Sequence, residues 1–516
     1  MERSAGVLMH ISSLPGKFGI GTFGKEAYKF ADFLNKAGMK YWQLLPVGHT
    51  SYGDSPYQCF SAFAGNPYFI DFDKLVEEGL LEEKDYIDVD FGVNKTRVDY
   101  ALIFESKYKV LKIAYSNFSK KGKFKELKEE FKKFEKENKF WLEDYALYMA
   151  VKNHFDLKSW SEWDDDIKKR EPEALAKYKK ELKDDIEYWS FLQFLFFKQW
   201  YELKAYANDL GIEFIGDIPI YVAYDSCDTW SHPENFQMDM KKFEPTVVAG
   251  CPPDAFSETG QLWGNVIYDW DKMKKDKYTW WVSRVRESLK LYDVLRIDHF
   301  RGFEAYWAIP YGDDTAINGK WVKGPAMSLF KEIKKQLGDI NVIAEDLGFL
   351  TDEVIDFLRE TGYPGMKILQ FAFNGEGDND YLPQNYGRNC IAYTGTHDND
   401  TFVGWFTESS STEEATIAKT YLGLNKEEGY NWGFIRGVWS SVADVAIAPM
   451  QDFLNLGAET RMNTPSTTMG NWQWRAEDGS FDNALADKIY EMNILTGRFF
   501  PEVIDEDEDE EEEEEK

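Results

Sequence analysis

The chain has few cysteines and histidines, and it lacks a long apolar run. Its four cysteines, among 516 residues, match neither the spacing of a zinc site nor a dense disulfide framework. No segment approaches the roughly 18 consecutive apolar residues of a membrane span, and the first ten residues lack an apolar signal-peptide core. The sequence therefore excludes a membrane-embedded protein and predicts a reducing, cytoplasmic setting.

Basic residues are also scarce. Sixty Lys and Arg residues stand against 91 Asp and Glu residues, and the formal net charge is −31. Such a field repels nucleic acid and anionic membranes, so we expect neither as a partner. Residues 505–515 are all acidic, and a run of like charges predicts a disordered, solvated tail, which we delimit as residues 503–516.

Aromatic residues are abundant, at 16% of the chain with 18 Trp and 29 Tyr. An excess of this kind fills a large core, which is its ordinary use. It also suits a sugar ligand, because the C–H faces of sugars stack on aromatic rings. Composition alone leaves both interpretations open.

Apolar runs that end in Gly, Pro or polar residues indicate eight strands, and helical patterns alternate with several of them. The strands are predicted at 6–11, 41–46, 213–219, 294–299, 341–346, 366–373, 390–396 and 445–451. Helices are predicted at 23–37, 270–291 and 352–361. This alternation favours a parallel sheet, and eight strands favour closure into a (β/α)8 TIM barrel of the α/β class.

The second and third predicted strands are far apart in sequence. The stretch between them includes a Lys/Glu-rich section, 107–139, with apolar residues at helical intervals. We predict an inserted, largely helical subdomain at about 50–210, within one catalytic unit of residues 1–500. Only about 60 residues follow the last strand, which leaves no room for a C-terminal β-sandwich domain of ~100 residues.

Three acidic residues, Asp298, Glu345 and Asp398, follow apolar runs late in the chain. Barrels of this kind place their chemistry where the strands end, and a carboxylate pair on that rim is what glycosidic bond chemistry needs. Arg296 lies on the same face as Asp298 and would keep it ionised, as a nucleophile requires. A purely structural Arg–Asp pair is the alternative.

Glu345 follows an apolar Val-Ile-Ala run, which would raise its pKa and suit a general acid/base. A simple charge at a strand end is the alternative. His397, beside Asp398, has no second histidine at ligand spacing, so hydrogen bonding to a hydroxyl is the better role for it. A satisfied polar residue remains the other interpretation, and His299 allows the same two.

Eight motifs of the chain, taken together, carry a family resemblance. They are Ser51-Tyr-Gly-Asp-Ser-Pro-Tyr57, Ser61-Ala-Phe-Ala-Gly-Asn-Pro67, Ile215-Gly-Asp-Ile-Pro-Ile220, Pro252-Pro-Asp-Ala-Phe-Ser-Glu-Thr-Gly-Gln261, Arg296-Ile-Asp-His-Phe-Arg-Gly302, Ala344-Glu-Asp-Leu-Gly348, Gly395-Thr-His-Asp-Asn-Asp400 and Met462-Asn-Thr-Pro465. The sequence, from about residue 5 to about residue 475, resembles the bacterial 4-α-glucanotransferases (amylomaltases or disproportionating enzymes) of the α-amylase superfamily.

This resemblance implies a retaining transfer of an α-1,4-glucan segment through a covalent glycosyl-aspartate. Asp298 would be the nucleophile, Glu345 the acid/base, and Asp398 a residue that binds sugar hydroxyls and favours a distorted ring. The substrate-binding residues implied by the resemblance, with the two weakest last, are Arg296, His397, Asp217, Tyr57, Trp263, Tyr52 and Asn374. Tyr57 would stack on the glucose ring. Many relatives are expected to have an acidic residue where this chain has Asn374.

The resemblance also assigns a lid role to the Gly-, Pro- and polar-rich segment 249–265, for which an ordinary long loop is the alternative. Expected donors and acceptors are α-1,4-glucans and malto-oligosaccharides, with glucose as a further acceptor. No cofactor and no metal are expected. Two other functions stay open: an α-1,4-glucan hydrolase, against which the lid argues, and a non-catalytic glucan-binding protein, against which the intact acids argue. The oligomeric state is not readable from the sequence.

Overall fold

An eight-stranded sheet forms the centre of the molecule in the computed structural model, which describes residues 1–253, 257–348 and 350–501. Its strands are β1 (Ser4–Leu8), β2 (Tyr41–Gln43), β3 (Glu213–Pro219), β4 (Val294–Asp298), β5 (Val342–Ala344), β6 (Gly365–Ile368), β7 (Cys390–Tyr393) and β8 (Val445–Pro449). They pair in parallel in the order β5-β4-β3-β2-β1-β8-β7-β6. The amide of Ala344 donates to the carbonyl of Pro364 at 2.9 Å, which joins the two end strands and closes the ring. The predicted TIM barrel is confirmed.

The sequences of the strands are continuous apolar runs because the barrel buries both faces of each strand. Every residue of β1, β7 and β8 is buried. The helix Lys25–Lys36, between β1 and β2, buries Ala27, Phe30, Ala31 and Leu34, which lie on one face at spacings of three and four residues. Helices of this pattern cover the outside of the sheet, so the core is continuous from the barrel interior to its surrounding layer.

Helices of the described residues fall into two length groups. The longer ones are Lys25–Lys36, Tyr100–Phe118, Lys125–Glu137, Lys139–His154, Pro172–Glu181, Lys183–Asp209, Thr279–Leu291, Met327–Leu337, Asp352–Thr361, Thr412–Leu422, Tyr430–Trp439 and Asn483–Leu495. The shorter ones are Phe72–Glu77, Asp165–Lys168, Cys227–Ser231, Trp270–Lys275, Phe402–Gly404 and Met450–Phe453. Between β6 and β7 the chain forms the 3₁₀ turns Leu369–Phe371 and Pro383–Asn385 instead of an α-helix.

One predicted helix is wrong in its extent. The segment 270–291 forms two helices, Trp270–Lys275 and Thr279–Leu291, because Lys277 and Tyr278 take left-handed conformations with φ of 59° and 54°. Left-handed residues cannot continue a right-handed helix. The apolar pattern persists across the break, and for that reason the sequence predicts a single helix.

The connection from β2 to β3 is helical along most of its length. It includes five of the longer helices, and the last of them, Lys183–Asp209, leads into β3. Lys183–Asp209 packs against Lys139–His154 and also against the barrel helix Lys25–Lys36. The inserted helices are thus tied to the barrel through one long element.

A second, four-stranded antiparallel sheet lies outside the barrel. Its strand order is Lys320–Lys323, Ala305–Pro310, Val247–Cys251, Gln261–Val266. The predicted lid segment 249–265 therefore begins and ends in paired strands, and the expectation of a plain loop over its whole length is wrong. Residues 254–256, in the middle of that segment, lie outside the described residues.

After β8 the described chain contains the helices Met450–Phe453 and Asn483–Leu495 with their connecting turns. Asn493 donates to the carbonyl of Ala37 at 2.8 Å, so the last helix is fixed to the first helix layer. Within residues 1–253, 257–348 and 350–501, the helices are too short or too polar to cross a membrane. The predicted acidic tail, 503–516, lies outside the described residues.

Candidate active site

Two of the predicted acids end adjacent strands. Ile297 in β4 is paired with Ala344 in β5, and the next residue along each strand is Asp298 and Glu345. Parallel strands bring their carboxyl ends to one rim, so the two carboxylates come side by side. The Asp298 side chain is 28% exposed, so the cleft still admits a ligand to it.

Arg296 connects Asp298 to Asp217, a buried acid in the middle of β3. Its Nη1 donates to Asp217 Oδ2 at 2.5 Å and to Asp298 Oδ1 at 3.3 Å. The β3–β4 register places Asp217 directly opposite Arg296. The side chains of Arg296 and Asp217 are 4% and 0% exposed. A buried charge pair of this kind is stable only when well hydrogen-bonded, and it fixes the direction of the guanidinium.

Backbone amides hold the Glu345 carboxylate. The N–H of His299 donates to Oε2 at 2.6 Å and that of Leu347 donates to Oε1 at 2.9 Å. His299 takes a left-handed conformation with φ of 52°, a strained choice for a residue other than glycine. This turn directly follows β4 and directs the His299 amide towards the end of β5. The two amides fix the orientation of Glu345 without placing a cation beside it.

Burial dominates the electrostatics of the pair. It raises the pKa of Asp298 well above the ordinary range, and repulsion from Glu345, Asp217 and Asp398 adds to the rise, while Arg296 lowers it. Burial likewise raises the pKa of Glu345, against the opposing effects of Arg296 and the two amides. The predicted effect of Arg296 on Asp298 is present, but burial outweighs it and the pKa of Asp298 is raised. Asp298 and Glu345 repel each other when both are ionised, so the titration of one affects that of the other.

The third acid of the rim, Asp398, follows β7. Asn463 Nδ2 donates to its Oδ1 at 2.6 Å, Arg461 Nη2 donates to its backbone carbonyl at 2.6 Å, and His397 Nε2 lies 3.4 Å from Oδ1. Its side chain is 47% exposed and faces the cleft opening. Sequence reasoning missed Asn463 and Arg461 as site residues. The motif 462–465 marks Asn463 as a candidate site residue, but nothing in the sequence links Asn463 to Asp398.

An aromatic group lines the same cleft. The Tyr57 hydroxyl donates to Asp217 Oδ2 at 2.8 Å, and its ring stacks on His397 at 5.1 Å with an interplanar angle of 18°. Trp472 packs against both rings, at 5.8 Å and 5.9 Å. Burial lowers the pKa of His397, which favours its neutral form. The structure thus brings Tyr57, His397 and Asp217 together, and Trp472 was missed from the sequence.

The remaining predicted binding residues are placed differently. Trp263, in the outer sheet, meets the edge of His299 at 4.8 Å and so reaches the rim beside the carboxylates. Tyr52 is 84% exposed. Asn374 is exposed, and its hydrogen bonds in the described chain go to Glu376 and Asn379 of its own turn. The structure therefore joins Trp263 to the site but does not bring Tyr52 or Asn374 to it by such contacts.

In the described ranges, no cluster of three or more His, Cys, Asp or Glu side chains is arranged to hold a metal ion. Cys59, Cys227 and Cys390 are free thiols. The chemistry that the arrangement supports is that of its carboxylates: nucleophilic attack, proton transfer and hydrogen bonding to hydroxyls.

A closed parallel barrel with paired acidic groups at the carboxyl ends of its strands defines a class, the barrel enzymes that act on glycosidic bonds. Comparison with known families identifies the group within that class. Residues 9–480 match glycoside hydrolase family 77, described as 4-alpha-glucanotransferase. The chain belongs to this family, the 4-α-glucanotransferases.

Individual relatives agree along nearly the whole length. The 4-alpha-glucanotransferase of Clostridium butyricum is 60% identical over 490 residues, covering 95% of this chain and 100% of that protein. The Streptococcus pneumoniae enzyme is 50% identical and covers 98% of this chain and 99% of its own. An amylomaltase from Streptococcus agalactiae, solved in complex with acarbose, superposes with a TM-score of 0.94 at 45% identity, covering 97% of this chain and 100% of that one.

Proposed function

We propose that this 4-α-glucanotransferase works by a retaining double displacement, with Asp298 as nucleophile and Glu345 as acid/base. The observation that carries the assignment is an asymmetry between two adjacent carboxylates. Asp298 contacts the guanidinium of Arg296, whereas Glu345 receives backbone amides. The contact with Arg296 favours the ionised, nucleophilic form of Asp298, and the raised pKa of Glu345 suits it to hold a proton as the general acid.

In the first step Glu345 protonates the oxygen of an α-1,4 bond while Asp298 attacks the anomeric carbon. The leaving glucan departs, and an ester between the glucan chain and Asp298 remains. In the second step Glu345 removes a proton from the 4-hydroxyl of an incoming glucan, which displaces the ester. Two inversions give retention, and the mechanism requires the carboxyl groups about 5–5.5 Å apart.

The substrates we propose are α-1,4-glucans and malto-oligosaccharides, with glucose as an additional acceptor. The S. agalactiae relative, solved in complex with acarbose, supports a saccharide ligand for this chain. We assign the hydroxyl contacts of the reacting sugar to Asp398 and His397, and the stacking contact to the ring of Tyr57. Trp263, on the outer sheet, adds a ring on the other side of the carboxylates. Tyr52 and Asn374 remain predicted, more distant glucan contacts.

Transfer rather than hydrolysis requires that an acceptor sugar outcompete water. Exclusion of water and oriented binding of the acceptor both achieve this. We propose that the outer sheet, whose strands Val247–Cys251 and Gln261–Val266 form the two ends of segment 249–265, covers the cleft for this purpose. Purified protein incubated with maltotriose alone should give a ladder of longer malto-oligosaccharides together with glucose. Maltose and glucose without longer products would instead identify a hydrolase.

Removal of the Tyr57 hydroxyl tests the aromatic wall of the cleft. Tyr57→Phe keeps the ring but loses the hydrogen bond to Asp217, and a bond to a charged group is worth about 1.5–3 kcal/mol. We expect kcat/KM for maltotriose to fall by about 10-fold or more. Tyr490→Phe, on the last helix, is the matched control and should retain wild-type kinetics. Equal kinetics for the two variants would remove Tyr57 from the proposed site.

The raised pKa values predict where activity lies on the pH scale. The active pair carries one proton, so kcat/KM falls as pH drops and Asp298 is protonated, and falls again as pH rises and Glu345 is deprotonated. Because burial raises the pKa of Glu345, the alkaline limb should lie above the ordinary glutamate pKa of about 4.3. A pH profile of kcat/KM measures this. An alkaline limb at or below that ordinary value would contradict the assignment.

We further propose one catalytic unit of residues 1–500 with the helical insertion at 50–210, and a cytoplasmic location. The connection from β2 to β3 supports a single catalytic unit, because the helix Lys183–Asp209 ties the helices of this connection to the barrel. The free thiols Cys59, Cys227 and Cys390 support a reducing compartment.

A further inference from the structure

A cavity of about 60 Å³ lies behind the carboxylates, on the side of β3 that faces the helix Thr279–Leu291. Asp217 and Arg284 both line it, together with Tyr57 and Cys59. An internal space needs roughly 10–15 Å³ by this measure to hold one water molecule. The cavity is therefore large enough for several water molecules, provided that its walls offer them hydrogen bonds.

Asp217 offers the first of these hydrogen bonds. Its Oδ2 is occupied, because it accepts from Tyr57 and from Arg296. Its Oδ1 is buried and has no hydrogen-bond partner within the described residues. A buried carboxylate oxygen without a partner destabilises the folded state, so a donor at this position would be favourable.

Arg284 offers the second hydrogen bond to water in the cavity. It is 2% exposed, and its Nη1 donates to the carbonyl of Ile220 at 3.1 Å and the hydroxyl of Tyr268 at 3.4 Å. Its guanidinium also lies against Trp280 and Trp281, 5.5 Å and 4.9 Å from the ring centroids. These hydrogen-bond and ring partners are uncharged, while burial raises the pKa of Asp228 and Arg284 opposes that rise, so Arg284 already interacts with one buried carboxyl. The Nε of Arg284 is buried without a hydrogen-bond partner in the part of the chain that the structure describes. A buried donor without a partner destabilises the folded state, so an acceptor at this position would be favourable.

The two unpartnered atoms are complementary: Arg284 Nε–H donates and Asp217 Oδ1 accepts. Water can accept from the first and donate to the second. We propose that ordered water in this cavity connects Arg284 Nε to Asp217 Oδ1, and that Arg284 is thereby a positioning residue for the transfer reaction. The kinetic part of this inference rests on the proposed roles of Asp298 and Tyr57, and the structural part does not.

Asp217 is the point through which Arg284 acts. One oxygen of Asp217 fixes both the Tyr57 hydroxyl and the guanidinium of Arg296, and Arg296 in turn contacts Asp298. With the water link in place, both oxygens of Asp217 are held and its carboxylate cannot rotate. Without the link it can rotate, and the guanidinium beside the nucleophile loses its fixed direction. Arg284 therefore affects the chemical step more than substrate binding.

The structural test is a crystal structure of the wild-type protein at a resolution that shows ordered water. We expect one or two water molecules in the cavity, with continuous hydrogen bonds from Arg284 Nε to Asp217 Oδ1. A dry cavity, or water that contacts one of the two atoms only, would overturn the proposal. This test uses no activity measurement, so it is independent of the proposed mechanism.

The kinetic test uses Arg284→Ala and added guanidinium ion. Small displacements in an active site cost up to about 10²-fold in rate, so we expect kcat for maltotriose transfer to fall by about 10- to 100-fold with a smaller change in KM. Guanidinium at non-denaturing concentration should occupy the space left by the side chain and restore part of the lost kcat. Arg284→Lys should retain more activity than Arg284→Ala.

The matched control is Arg359→Ala, which removes an exposed arginine whose partner is Asp356 on the same helix. It should have wild-type kinetics and no response to guanidinium. A wild-type kcat in Arg284→Ala would overturn the positioning role. The positioning role would also be overturned if Arg284→Ala has the wild-type melting temperature and guanidinium does not restore its lost kcat. If Arg284→Ala does not fold, the water structure of the wild-type protein decides.

Discussion

Asp298→Asn should lower kcat for transfer from maltotriose by about 10⁴-fold or more, because an amide cannot form the glycosyl ester. The substitution conserves size, and an amide can still accept a hydrogen bond from Arg296 at the Oδ1 position. It also removes a charge from a crowded acidic group, since Glu345, Asp217 and Asp398 all repel Asp298. We therefore expect the melting temperature to be equal to or above that of the wild-type protein.

The control for this variant is Asp356→Asn, which makes the same chemical change on an exposed helix where Asp356 pairs with Arg359. It should retain wild-type activity. Product formation in Asp298→Asn must be separated from contaminating host enzyme by repeating the preparation with an empty vector. Turnover within tenfold of the wild-type rate after that correction would exclude Asp298 as the nucleophile.

Glu345→Gln should separate the two halves of the reaction. With maltotriose as donor the leaving oxygen needs a proton, and loss of general acid catalysis typically costs about 10²–10⁴-fold. With α-maltotriosyl fluoride as donor, the leaving group is a fluoride ion, which needs no protonation. Formation of the glycosyl ester from this donor should therefore remain fast. Release to a sugar acceptor still needs the missing base, so the ester should accumulate. Azide, which needs no deprotonation, should restore turnover and give an α-glycosyl azide.

The matched control is Glu360→Gln, on an exposed helix position paired with Lys331. It should use both donors as the wild-type protein does and show no response to azide. If Glu345→Gln loses the same factor with maltotriose and with the fluoride, Glu345 is not the acid. A β-glycosyl azide would contradict the retaining mechanism itself.

Strand positions were predictable from the sequence, but strand ends were not. The third strand, 213–219, matches its prediction residue for residue. The sixth was predicted at 366–373 and is Gly365–Ile368, because the apolar run continues into the 3₁₀ turn Leu369–Phe371. The first was predicted at 6–11 and is Ser4–Leu8, for a similar reason, since Ile11 begins another buried 3₁₀ turn. Buried turns have the same composition as buried strands, so composition does not mark the boundary.

The acids of the site were identifiable because each follows an apolar run, but their neighbours depended on contacts distant in sequence. Asn463 reaches Asp398 across 65 residues, and Tyr57 reaches Asp217 across 160. The outer sheet is not predictable from the lid segment alone, because the strand Val247–Cys251 pairs with Ala305–Pro310, which lies beyond the fourth barrel strand. No local pattern in 249–265 encodes that partner. The net pKa of Asp298 likewise depends on burial, which the Arg296–Asp298 spacing does not reveal.

The most direct test of the mechanism is mass spectrometry of the Glu345→Gln variant after brief reaction with α-maltotriosyl fluoride. The account predicts that the protein gains the mass of one maltotriosyl group, and that peptide mapping places it on Asp298. The same treatment of an Asp298→Asn, Glu345→Gln double variant should leave the mass unchanged. Label on another residue, or no label while the fluoride is consumed at the expected rate, would contradict the covalent glycosyl-aspartate.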